Sequence, residues 1–168
     1  MKKVPLVKTA SAFALLFASA LACAANVEFT WDDPAQFRDI KVTNENKVRF
    51  QTRVINELEE QFRHEAEKLP ADQTLHLTVH DVDLAGYVEY FHENYPFGLR
   101  VIRNVDFPAI DLTYELRDAN NAVIKSGTEE IKDLGFRTPV LSDLQRDPFR
   151  YETQMIRNWY DTEFPTSS

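Results

Sequence analysis

Leu75-His76-Leu77-Thr78-Val79-His80-Asp81-Val82-Asp83-Leu84-Ala85-Gly86 is the stretch whose reading decides the fold. Leu75, Leu77 and Val79 alternate with His76, Thr78 and His80, the period of a strand with one apolar face. Continued unbroken, the alternation carries Asp81 and Asp83 onto the apolar side, and Leu84-Ala85-Gly86 ends the strand in a small-residue turn. Carboxylates on a core face demand partners, because a buried charge is tolerated only when paired or hydrogen bonded.

Upstream, Val27, Phe29 and Trp31 alternate with Glu28 and Thr30 in a first strand that Asp32-Asp33-Pro34 closes. Between 46 and 69 the period changes. Val48, Ile55, Phe62 and Leu69 recur every seven residues, with Val54, Leu58 and Ala66 filling the same stripe, which predicts a helix with one apolar face. Thr43 or Asn44 is placed to cap its start and Pro70 ends it.

Downstream, Tyr87, Tyr90, Phe91, Tyr95 and Phe97 crowd a loop punctuated by Pro96 and Gly98, followed by a short strand over 99–105. Ile110, Leu112, Tyr114 and Leu116 then alternate with polar residues in the clearest strand of the chain. Asp118-Ala119-Asn120-Asn121 supplies turn chemistry, and 122–132 returns as the hairpin partner. Asp147-Pro148 reads as a helix start, with Phe149, Met155, Ile156 and Trp159 on the apolar face of a helix reaching about Asp161. The expectation is one α+β domain over 26–165. A mainly antiparallel sheet of four to five strands carries a long N-terminal helix and a C-terminal helix packed on one face.

Lys2, Lys3 and Lys8 precede an apolar run from Ala10 to Ala22 that ends in small residues, the pattern of a signal peptide over 1–25. Cleavage near Ala24 or Ala25 leaves a mature chain without cysteine, hence without disulfides. The alternative is a lipid anchor on Cys23, although Ala20-Leu21-Ala22 is a poor order for lipid attachment. The run is too short to span a bilayer comfortably. Export to the periplasm is therefore expected, with lipid anchoring to an envelope membrane as the other possibility, and residues 166–168 read as a disordered tail. The chain carries 27 acidic against 19 basic residues, a formal charge of −8, and loss of the leader removes three lysines more. That balance argues against nucleic acid as a partner and makes any basic site a local one. Four glycines leave no room for a glycine-rich phosphate loop.

Asp81-Val82-Asp83-Leu84-Ala85-Gly86, Arg100, Arg103, Pro108-Ala109-Ile110-Asp111-Leu112-Thr113-Tyr114-Glu115-Leu116, Tyr151-Glu152 and Asn158-Trp159-Tyr160 together resemble a bacterial exported family called domain of unknown function 3016. The resemblance spans nearly the whole mature chain. Ala109 departs from it, since an arginine is expected after the proline. It implies export and a single domain, and it brings no mechanism.

Several chemistries can be weighed on the residues themselves. His76 and His80 lie about 13 Å apart along a strand at 3.3 Å per residue, too far to share one metal ion unless the strand breaks. Asp81 and Asp83, about 6.6 Å apart, are open to a hard cation or to acid and base roles in glycoside cleavage. Ser126, Ser142, Ser167 and Ser168 stand in no nucleophile context. The preferred reading of the two aspartates is structural. Arg100 or Arg103 pairs with them and the other arginine reaches solvent, or the amides of the 84–86 turn take the carboxylates. Tyr90 and Phe91 mark either a binding patch or a lid folded over the core, and His64 and His92 read as surface residues. The functional expectation is a non-catalytic binding or envelope-accessory module. Its partner is an unidentified periplasmic protein or small ligand, it needs no cofactor and no resident metal, and its candidate residues are Asp81, Asp83, Arg100, Arg103, Tyr90 and Phe91. The alternative is a hydrolase or cation-binding protein working through Asp81 and Asp83.

Overall fold

The computed structural model describes residues 25–91, 93–136, 144 and 146–165. The readings of the leader, Cys23, His92, Ser142 and the 166–168 tail fall outside that range.

The alternation around Val27 forms β1 (Asn26–Trp31), and the stretch that begins at Leu75 forms β2 (Thr74–Asp83). The helical stripe lies between them as α1 (Lys47–Ala66). β1 and β2 run parallel, with Val27 opposite Leu75 and Trp31 opposite Val79, so α1 is a crossover. The long helix read over 46–69 thus follows β1 in the chain and connects the first two strands. Asn46 caps α1 by accepting a hydrogen bond from the Arg49 amide at 3.1 Å, a role read for Thr43 or Asn44.

The aromatic loop contains a small hairpin, β3 (Tyr87–Glu89) and β4 (Leu99–Val101), which forms a two-stranded sheet of its own. β5 (Ala109–Arg117) and β6 (Val123–Lys132) follow as an antiparallel pair. In their turn, Asp118 accepts from the amides of Asn120 and Ala122, while Asn121 adopts φ +63°. The main sheet has the order β1-β2-β5-β6 and is antiparallel from β2 onward. The last element is α2 (Arg150–Glu163). It starts later than Asp147-Pro148 suggests, because Asp147 closes a preceding turn by accepting from the Phe149 amide and the Thr153 hydroxyl, both at 2.7 Å.

Both helices cover one face of the sheet. Leu75, Leu77, Val79, Ile110, Leu112 and Tyr114 bury against Val54, Leu58, Phe62 and Ala66 of α1 and against Met155, Ile156, Trp159 and Tyr160 of α2. The buried stripe of α1 steps by four rather than seven, and Val48 is 68% exposed. Trp159 meets Phe62 edge-on at 5.9 Å and Tyr114 at 5.7 Å. The helices are tied together by Glu65, which is buried between Lys68 at 2.6 Å and Arg157 at 3.3 Å.

Candidate functional site

The register of β2 changes at His80. Val79 faces Leu112 and Asp81 faces Asp111, so two residues of β2 stand opposite one of β5, which is a β-bulge. The extra residue inverts the alternation. Val82 enters the core, while Asp81 and Asp83 move out of line with Leu75, Leu77 and Val79. The expectation that the aspartates extend the core face fails for this reason.

Asp81, Asp111 and Glu130 stand side by side across β2, β5 and β6, an arrangement of like charges that a sheet tolerates poorly. Arg38 supplies the countercharge. Its guanidinium lies 3.0 Å from Asp81, 3.4 Å from Asp111, 3.6 Å from Asp83 and 3.8 Å from Glu130. Partial burial raises the Asp83 carboxyl above its ordinary range, against the opposing pull of Arg38. Among the described residues no group of three or more His, Cys, Asp or Glu side chains is placed to hold a metal ion. His76 pairs with Glu28 at 3.1 Å and His80 with Asp32 at 2.9 Å, so the two histidines serve different partners.

Neither arginine named from the sequence reaches these aspartates. Arg100, on β4, grips the buried Asp39 with both terminal nitrogens at 3.0 and 3.4 Å and donates to the carbonyls of Lys41, Ala85 and Gly86. It staples the small hairpin to the segment after β1, where Asp39 bridges Asp83. Arg103 binds its neighbour Asp106 at 2.6 and 3.0 Å and lies 3.8 Å above the Tyr87 ring. Tyr90 donates to the Val42 carbonyl, and Phe91 is 98% exposed, so Phe91 is no lid on the core.

One of several hollows in the surface lies where the starts of α1 and α2 approach the Leu84-Ala85 turn and β4. It encloses about 280 Å³, the lower end of the size of small-ligand sites. Phe50, Leu84, Ile102 and Phe149 give it an apolar wall. Lys41, Arg53, Arg100 and Arg150 bring four cations to it, against Glu45 and Glu152, in a chain whose net charge is −8. Arg53 pairs with Glu45 and lies over the rings of Phe50 and Phe149.

Glu152 is buried within the first turn of α2, where its carboxylate accepts from the Ala85 amide at 2.7 Å. Burial raises its pKa to about 7, against the Ala85 hydrogen bond and the Arg100 charge that lower it, with Asp147 adding to the rise. A buried carboxyl poised near neutrality in a cleft is a functional-site signal. The sequence carried a trace of it. Glu152 stands three residues before Met155 and four before Ile156, a charge on the stripe that α2 buries. Lys41, Arg53 and Arg150 left no such trace, since basic residues at helix starts and in loops are ordinarily solvated.

The fold and the cleft define an α+β module with a basic hollow on an acidic body. The chain belongs to a family described as protein of unknown function (DUF3016), whose model matches residues 25–162. Neither a curated protein nor a solved structure matches it. Arg100, Tyr151 and Glu152, among the residues that carry the resemblance, converge on the cleft.

Proposed function

We propose that this is an exported periplasmic protein and a non-catalytic binding module, with the cleft between the starts of α1 and α2 as its ligand site. The carrying observation is the inversion of charge. Four cations and two carboxyls surround a cavity of about 280 Å³ in a molecule of net charge −8. Its cationic rim and apolar wall combine a few orienting polar groups with a hydrophobic floor, as small-molecule sites do. Asp81 and Asp83 are structural in this reading, because Arg38 occupies the space in front of both carboxylates. That contact weighs against a hydrolase or a cation-binding protein built on them. The leader pattern of Lys2 to Ala25 supports export, with Cys23 lipidation as the alternative route to the envelope.

Two measurements test the proposal. Cell fractionation with mass determination of the mature N-terminus places the protein and distinguishes a free Ala25 or Asn26 from a lipidated Cys23. Native mass spectrometry of the full-length product, purified without denaturant, is expected to show a retained small molecule that Arg150→Gln weakens. A cytoplasmic product with its leader intact overturns export. A bare protein, with no stabilisation by any member of a panel of small anions, cations and neutral compounds, overturns the binding role.

A further inference from the structure

We infer that the cleft takes a small organic monoanion with an apolar body, a carboxylate, and takes it together with a proton on Glu152; this rests on the cleft being the ligand site. Charge accounting within the cavity leads there. The Arg53 guanidinium is matched by Glu45 and that of Arg100 by Asp39. Lys41 is exposed, and among the described residues only its backbone N–H and carbonyl are seen in hydrogen bonds, its ammonium in none. Arg150 leans on the Tyr151 ring at 4.5 Å and donates to its hydroxyl at 3.2 Å, and among the described residues no carboxylate pairs with its charge. Two cationic heads thus remain, and Glu152 is the carboxyl left to answer them.

With Glu152 ionised the surplus is one charge, enough for a monoanion that then lies beside a second negative group. With Glu152 protonated that repulsion vanishes. A carboxylic acid also donates a hydrogen bond, which an arriving carboxylate accepts. The anion and the proton therefore reinforce each other. The groups that face Glu152 or share its cavity are Arg150, Tyr151 and Asp147 around α2, Arg100 on β4, Lys41 and Glu45 on the segment after β1, and Arg53 on α1. Among the described residues no histidine lines the cavity, so a proton taken up near pH 7 is assigned to Glu152. Phe50, Leu84, Ile102 and Phe149 form the apolar side, which suits a flat or branched hydrocarbon body and leaves a bare inorganic anion half unmatched.

The test is titration calorimetry of the mature protein with benzoate, isovalerate, phenyl phosphate, benzamide and benzylamine at pH 6 and pH 8. Benzoate or isovalerate is expected to bind at pH 6 and to weaken by up to about tenfold at pH 8, the loss set by one group titrating near 7. Proton uptake should be measurable at pH 7 in buffers of different ionisation enthalpy. Glu152→Gln keeps the acceptor for the Ala85 amide and should bind with equal affinity at both pH values. Lys41→Gln, on an exposed side chain, should weaken the anion without lowering Tm. Carboxylate binding that is independent of pH in the wild-type protein overturns the proton coupling. Preference for phenyl phosphate at both pH values overturns the monoanion class. Binding of benzamide or benzylamine alone overturns the anion while leaving the cleft as the ligand site. If no probe binds, the inference falls, and the ligand retained in native mass spectrometry decides the cleft separately.

Discussion

Arg38 and Asp81 meet twice: the guanidinium lies 3.0 Å from one carboxylate oxygen, and the Arg38 backbone N–H donates to the other at 2.6 Å. The two residues are 43 positions apart, and their contact holds the loop after β1 against the bulged end of β2. Removing the side chain takes away the cation that, among the described residues, pairs with Asp81, Asp83 and Asp111. Exposed ion pairs are individually worth about 0.2 to 1 kcal/mol, so Arg38→Ala should cost on the order of 1 to 2 kcal/mol for the group. Urea denaturation at low and high salt checks it, because screening should narrow the gap between variant and parent. Asp111→Asn in the Arg38→Ala background should recover part of the loss.

Glu152 makes folding stability depend on pH in an unusual direction for a carboxyl. Its folded pKa, about 7, stands above the ordinary value of 4.5, so the native state retains a proton that the unfolded chain has released. Stability is therefore greatest below the unfolded pKa and is lost as pH rises through that interval, levelling off above 7. One group shifted this far accounts for up to about 3 kcal/mol, at 1.36 kcal/mol per unit. Glu152→Gln should abolish the decline between pH 5 and 7 and exceed the parent in Tm at pH 8. A calorimetric series across that range measures both.

Arg100 and Asp39 form the most buried ion pair at this end of the sheet. Breaking a buried pair leaves an uncompensated charge and commonly costs about 3 to 5 kcal/mol. Arg100→Ala should approach that figure, and Arg100→Lys should restore little, since a single ammonium cannot hold two carboxylate oxygens and three carbonyls as the planar fork does. Hydrogen exchange should show β3 and β4 losing protection first.

Gly86 has φ +82°, and a Cβ built there would stand 2.5 Å from the Val101 carbonyl oxygen. Left-handed backbone and a backbone clash coincide, so Gly86→Ala should cost more than about 1 kcal/mol. The comparison is Gly135→Ala, where the nearest atom is 3.6 Å away and only a small change in Tm is expected.

Phe91→Ser should leave stability within about 0.5 kcal/mol, as substitutions of exposed side chains usually do. Tyr90→Ser loses one bond to the Val42 carbonyl and should cost little more. A large fall in Tm for Phe91→Ser would mean that the aromatic loop packs on the core.

The alternation of β1, β2 and β5, the turn at 118–121 and the existence of both helices were legible because each is written locally, in the spacing of apolar residues and in turn chemistry. Local spacing also misled. Extending the β2 alternation past Val79 placed Asp81 and Asp83 on the core face, and a bulge of one residue was enough to reverse that. Of the stripe read on α1, Val54, Leu58, Phe62 and Ala66 are buried in steps of four, while Val48 in its first turn is exposed.

The amino-acid sequence by itself determined the fold class, the apolar faces that meet in the core and the acidic balance that confines any anion site to a local hollow. It also pointed to Asp81 and Asp83 as residues in need of partners, and named Arg100 or Arg103 for that role, which neither fills. Which partners they take only the tertiary structure decided: Arg38 for the aspartates, Asp39 for Arg100, and the Ala85 amide for Glu152. The reason is physical. Hydrophobic burial is non-directional and averages over a face, so periodicity records it. An ion pair or a hydrogen bond requires two particular atoms within about 3 Å, and chain separations of 43, 61 and 67 residues are closed only by the fold as a whole.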